Sequence, residues 1–115
     1  MNTFVLFLVL LEVGVCLAEK PVIQDLLVSS KLVEGKKFHL TCHLYSGKQP
    51  VSWTWYHSDE LVKPVDNVAI INTEESSQLI IKEMGLTDSG RYVCQVENAY
   101  GSDSKQVDLK LNGKF

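Results

Sequence analysis

With 115 residues and a formal charge of −3 at pH 7, the chain has room for one domain. Its densest basic pair is Lys36-Lys37, which argues against binding nucleic acid or an anionic membrane. No phosphate loop, nucleophile elbow, metalloprotease pair or kinase motif occurs, so the sequence carries no signature of an enzyme.

The first element is the N-terminal stretch MNTFVLFLVLLEVGVCLAEK. Its apolar run covers residues 4–18, interrupted by Glu12, and falls short of the roughly 20 residues that a membrane-spanning helix needs. Cys16 and Ala18 are small residues at the −3 and −1 positions of a cleavage site after Ala18. This predicts a secretory signal peptide at residues 1–18 and a mature domain at 19–115. Two features depart from that pattern: no Lys or Arg precedes the run, and Glu12 lies inside it. An uncleaved amphipathic or buried N-terminal segment is the competing reading. Cleavage would remove Cys16 and leave Cys42 and Cys94, an even number on an oxidising route. The C-terminal LKLNGKF reads as neither a transmembrane helix nor a lipid-anchor tail, so the mature form is expected to be soluble and secreted, with no membrane insertion. None of Asn67, Asn72, Asn98 and Asn112 starts an N-glycosylation acceptor.

After the leader, short alternating runs replace helical periodicity. Residues 22–33 predict a first strand broken near Asp25. KFHLTCHL places Phe38, Leu40, Cys42 and Leu44 on one face and His39, Thr41 and His43 on the other. VSWTWYH places Val51, Trp53 and Trp55 together. Residues 61–72 predict one or two edge strands, the better one at 68–71. Further inward positions are Leu79 and Ile81, then Tyr92, Cys94 and Val96, then Val107, Leu109 and Leu111. Turn residues fall between the runs at Glu34-Gly35, Ser46-Gly47, Ser58-Asp59, Asp88-Ser89-Gly90 and Gly101. About seven such strands, each apolar on one face, predict an all-β sandwich or barrel around a small core. A bridge between Cys42 and Cys94 would close a loop of about 53 residues, worth about 4 kcal/mol in a chain-entropy picture.

Cys42, a tryptophan at 53 or 55, and DSGRYVC ending at Cys94 together resemble the immunoglobulin fold. The intermediate set (I-set) is the nearest type, found in adhesion molecules, growth-factor receptors and muscle proteins. EGKKFHLTC resembles its second strand, SWTWYHSDELV its third strand and turn, LIIKEMGLTDSGRYVC the run through its sixth strand, and VENAYGS its last hairpin. The likeness spans residues 21–111. It implies an immunoglobulin-like two-sheet antiparallel sandwich with one inter-sheet disulfide, Cys42–Cys94. It also implies that Trp55 is the core tryptophan packed on the bridge. Trp53 is expected in the core near the end of the sandwich, with a partner for its indole N–H; a binding anchor is the alternative. Tyr92 resembles the tyrosine corner, with Asp88 beside it accepting backbone N–H groups. Leu40 and Leu79 complete the expected core.

No cofactor or metal is expected. His39 and His43 stand about 13 Å apart along one strand, too far to share an ion, and His57 lies on another strand. In the resembled fold one end of the sandwich gathers three loops, here carrying Tyr45, Lys48, Gln49, Glu74, Glu75 and Tyr100. Tyr100 is the first candidate contact and Tyr45 the second. A second surface is the outward face of the third and sixth strands, centred on Tyr56 and Val93. The expected function is extracellular protein recognition by a secreted single domain: a ligand, decoy or modulator of cell-surface proteins in adhesion or signalling. The expected partner is an extracellular or cell-surface protein, with no nucleic acid bound. The alternatives are a homophilic adhesion or structural module, dimerising through an exposed edge strand, and the N-terminal domain of a truncated multi-domain receptor.

Overall fold

The computed structural model describes residues 19–28 and 31–111; the expected leader lies outside them. The strands in chain order are β1 (Val22–Ile23), β2 (Leu27–Val28), β3 (Phe38–Ser46), β4 (Ser52–His57), β5 (Glu60–Leu61), β6 (Val68–Asn72), β7 (Ser76–Ile81), β8 (Gly90–Asn98) and β9 (Gly101–Leu109). A 3-10 turn, Leu86–Asp88, precedes β8. The first strand is interrupted as expected: β1 and β2 are separate short strands, and both pair antiparallel with β3. The better edge strand of residues 61–72 is β6, one residue longer than the pattern predicts.

The strands form two antiparallel sheets. One runs β1-β3-β7-β6 with β2 also on β3; the other runs β5-β4-β8-β9. The inward faces follow the alternation read from sequence. Phe38, Leu40 and Cys42 of β3 meet Leu79 and Ile81 of β7, and Tyr92, Cys94 and Val96 of β8 meet them from the opposite sheet. Leu40 lies directly across from Leu79 in register. Cys42 and Cys94 form a disulfide between the sheets, with a Cα–Cα distance of 6.5 Å. Met84, in the loop before the 3-10 turn, and Ile23 of β1 also enter the core.

Trp55 is 1% exposed. Its indole N–H donates to Ser77 Oγ at 2.8 Å, and Ser77 Oγ donates to Asn72 Oδ1 at 2.6 Å. Ser77 is itself fully buried. It follows the period-2 pattern of Leu79 and Ile81, and its hydroxyl gives the buried indole N–H the partner it requires. Asp88 is only half-buried. Its carboxylate accepts the Gly85 N–H at 2.8 Å and its carbonyl accepts the Tyr92 hydroxyl at 2.6 Å, so its place is in the corner and not within the apolar core.

Trp53 lies near the end of the sandwich. It shares the inward face of Trp55 but is only partly buried, packed against the margin of the core. Its N–H donates to the Thr73 carbonyl of the other sheet at 3.0 Å. The physical reason is position along the strand: Trp53 is the second residue of β4, paired with Val96, and its indole lies level with the β6–β7 turn, past the end of β6.

Candidate functional site

The predicted loop end forms, and it is tied together by one side chain. Asn98, at the end of β8, uses its Oδ1 to accept the Tyr100 and Gly101 N–H groups at 2.8 and 3.1 Å, which sets the β8–β9 turn. Its Nδ2 donates to the Glu19 carbonyl at 2.6 Å and the Lys48 carbonyl at 3.0 Å. One amide therefore joins the start of the domain, the β3–β4 loop and the β8–β9 turn. Gln49 Nε2 donates to the Glu74 carbonyl at 3.2 Å and brings in the β6–β7 turn. That turn is held by Thr73, whose Oγ1 accepts the Glu75 and Ser76 N–H groups at 3.2 and 3.0 Å.

On this frame Lys48 Nζ lies 5.7 Å from the centroid of the Tyr100 ring and 3.5 Å from Glu19 Oε1. The Glu19 carboxylate and then Tyr100 hold the Lys48 ammonium above its usual range. Tyr100 is 41% exposed and Tyr45, near the end of β3, is 70% exposed. The structure thus brings Lys48, Gln49, Glu74 and Tyr100 into one linked end, as the loop placement predicts, and leaves two tyrosine rings facing solvent. Sequence reading missed Glu19 as a member of this end and Asn98 as its hub. The only available signal was the Asn-then-Gly pattern of VENAYGS, which marks a turn but not the side chain's other partners.

The second predicted surface is also continuous. Tyr56 and Val93 are directly opposite in the β4–β8 register, and both are half-buried on the outer face of that sheet. A third feature was not predicted. On the β5 side of β4, Trp53, Trp55, Leu61, Val62, Ile70 and Asn72 help to line a groove of about 310 Å³.

Two of the histidines make structural contacts of different kinds. His57 stacks on Tyr92 with ring centroids 4.3 Å apart and planes 5° from parallel, and its Nε2 lies 2.7 Å from the Ser89 carbonyl. That carbonyl can only accept, so Nε2 carries the proton. His39 Nδ1 lies 3.1 Å from Gln78 Nε2 across the β3–β7 pair. Among the described residues no three His, Cys, Asp or Glu side chains are placed to hold a metal ion. No helix among them is long and apolar enough to cross a membrane.

Comparison with known proteins agrees with this architecture. The family of the immunoglobulin I-set domain matches residues 21–111. A CXADR-like membrane protein of Xenopus tropicalis is 32% identical over 82 residues, 69% of this chain and 24% of that protein. The mast/stem cell growth factor receptor Kit of Gallus gallus is 33% identical over 85 residues, 72% of this chain and 9% of that receptor. The chain therefore spans a quarter or less of the curated relatives it matches. Among solved structures, the Dscam1 Ig7 domain, isoform 5, superimposes with a TM-score of 0.75 at 21% identity, covering 83% of this chain and 99% of that one. The titin I-band fragment I67-I69 superimposes with a TM-score of 0.70 at 27% identity, covering 79% of this chain and 32% of that one. Related domains also occur in myelin-associated glycoprotein of Rattus norvegicus and in cell adhesion molecule Dscam2 of Drosophila melanogaster, so this type of domain is found in cell-surface adhesion proteins. With its paired sheets, inter-sheet disulfide, buried Trp55 and tyrosine corner, the chain belongs to the immunoglobulin I-set family.

Proposed function

We propose that this protein is an extracellular recognition module, secreted after removal of residues 1–18, which docks a cell-surface or extracellular protein through the end carrying Tyr45, Lys48 and Tyr100. The family and its fold are typically non-enzymatic, and the mechanism is rigid docking with no chemical step. The observation that carries the reading is the Asn98 hub. It fixes three chain segments before any partner arrives, so little ordering entropy is lost on docking. Tyrosine suits this use, because its ring buries large area at the cost of few rotatable bonds. Residues 19–115 then constitute one mature domain. The test is staining of a panel of cell lines with a fluorescent tetramer of the protein. A Tyr45→Ala/Tyr100→Ala tetramer with an unchanged Tm is expected to lose at least tenfold in staining, and Tyr56→Ser to lose little. Equal staining by the tyrosine double variant would overturn this reading.

A second reading rests on β6. Val68–Asn72 is an edge strand without a charged residue, and such edges are prone to pair with another chain. It corresponds to a homophilic module. Light scattering across a concentration series separates the two: a concentration-dependent dimer favours self-recognition, and a monomer throughout favours a heterologous partner.

A further inference from the structure

We propose that β6 and the cleft beside it receive a strand from another protein, an extended apolar segment with a lysine or arginine at each end. The site is separate from the tyrosine end, and its occupant is not a second copy of this chain.

The edge of β6 is ready for a further strand. Among the described residues no strand pairs with its outer side. The Lys82 N–H donates to the Asn67 carbonyl at 2.9 Å, and the Thr73 N–H donates to the Ser76 carbonyl at 2.8 Å. Hydrogen-bonded pairs alternate along an antiparallel ladder, so Ala69 and Ile71 also bond to β7. Ile70 and Asn72 therefore turn their N–H and C=O groups outward, and Val68 turns its C=O the same way. β6 contains no charge and no proline, two common guards of such an edge.

The side chains of an added strand also have a place to go. Directly opposed residues of neighbouring strands share a face. Val68 and Ile70 face the space between β6 and β5. There the groove of about 310 Å³ adjoins a hollow of about 400 Å³ beside Val65 and Val68, and Leu61 and Val62 line both. Partner residues opposite Val68 and Ile70 enter this cleft and are apolar, while those opposite Ala69 and Ile71 face away from it. This is strand addition with pockets for alternate side chains.

Charge decides whose strand it is. Asp66 precedes β6 and Glu74 follows it, and both are exposed. If two β6 strands paired antiparallel over all of Val68–Asn72, Ile70 would face Ile70 and Asp66 would face Glu74, at both ends by symmetry. Like charges directly opposite each other disfavour pairing. Lys63 and Lys82 near Asp66 are offset by Glu60 and Glu83, and Glu75 adds to Glu74 at the other end. A strand with a basic residue at each of those two places gains two attractive pairs instead.

The test uses the secreted product of the full chain and two dye-labelled peptides. One is Lys-Thr-Thr-Thr-Val-Thr-Val-Thr-Lys, whose valines lie opposite Ile70 and Val68 in the antiparallel alignment; the other has Glu at both ends. Fluorescence anisotropy at low ionic strength is expected to show saturable binding of the Lys peptide, and binding of the Glu peptide about fivefold weaker. Glu74→Lys is expected to bring the two peptides level. In amide exchange the Lys peptide is expected to protect Ile70 and Asn72. It is also expected to bind the Tyr45→Ala/Tyr100→Ala variant as well as it binds the unaltered protein. Absence of binding, binding that leaves Ile70 and Asn72 unprotected, binding lost in the tyrosine double variant, or an unchanged preference in Glu74→Lys would each overturn the proposal. So would a concentration-dependent dimer in which Ile70 and Asn72 are protected, because a second copy would then hold β6. These readouts do not involve the tyrosines, so they succeed or fail separately from the staining experiment.

Discussion

Trp53 and Trp55 sit two residues apart on one face of one strand, yet they occupy opposite kinds of environment. Trp55 is enclosed on every side and its N–H ends in a buried chain through Ser77 to Asn72. Trp53 lies at the rim, tied to the Thr73 carbonyl of the opposite sheet, although both tryptophans help to line the same groove. The difference comes from position along β4, which β8 pairs at both tryptophans and β5 at neither. Trp55 lies opposite Cys94 in the middle of the sandwich, and Trp53 lies next to the start of β4, level with the turn that ends β6 and begins β7. A shared face thus settles which way a side chain points, while its place along the sandwich decides how deeply it is buried.

The largest break in this comparison should come from Trp55→Ala. Emptying the closed site is expected to cost about 3–5 kcal/mol in denaturant unfolding, as for other large-to-small core changes. Ser77→Ala asks how much of that enclosure is polar. It strands the Trp55 N–H in the core and should cost about 1–3 kcal/mol, with a shift in tryptophan emission. Trp53→Ala sharpens the contrast, since a rim residue should lose only about 1–2 kcal/mol in the same unfolding experiment. A cost equal to that of Trp55→Ala would mean that the groove is closed in solution.

The smallest expected effect lies below Trp55, at the tyrosine corner. Burial first, and the charge of Asp88 second, push the Tyr92 phenol above its usual range. A raised phenol pKa stabilises the fold fully below the unfolded value, and that contribution is lost as pH rises past about 10. Tyr92→Phe should cost about 0.5–1.5 kcal/mol at neutral pH, because the hydroxyl bond to Asp88 is lost. It should also remove part of the alkaline decline, which pH-dependent unfolding of the two proteins would show.

Much of this was legible in the chain. The alternation of KFHLTCHL, of LII and of YVCQV fixes the inward faces, because side chains in a strand alternate and one face of each strand must meet the core. Ser77 lies on the same repeat, but a serine at an inward position announces nothing until its partner is seen. His57 was likewise placed on a strand end, while its stack on Tyr92 depends on β4 and β8 pairing at that register. The gathering of Lys48, Gln49, Glu74 and Tyr100 followed from the resemblance. Glu19 joins them from a segment 79 residues away from Asn98 in the chain, a distance over which local patterns carry no information.

By itself the sequence determined the strands, their buried faces and the two cysteines available for a bridge. Those properties depend on local periodicity and on residue types with narrow physical uses. Tertiary structure alone decided the depth of each tryptophan and the hub role of Asn98. Each of these is a meeting of distant segments, where exposure and hydrogen-bond partners are set by what the rest of the chain leaves open.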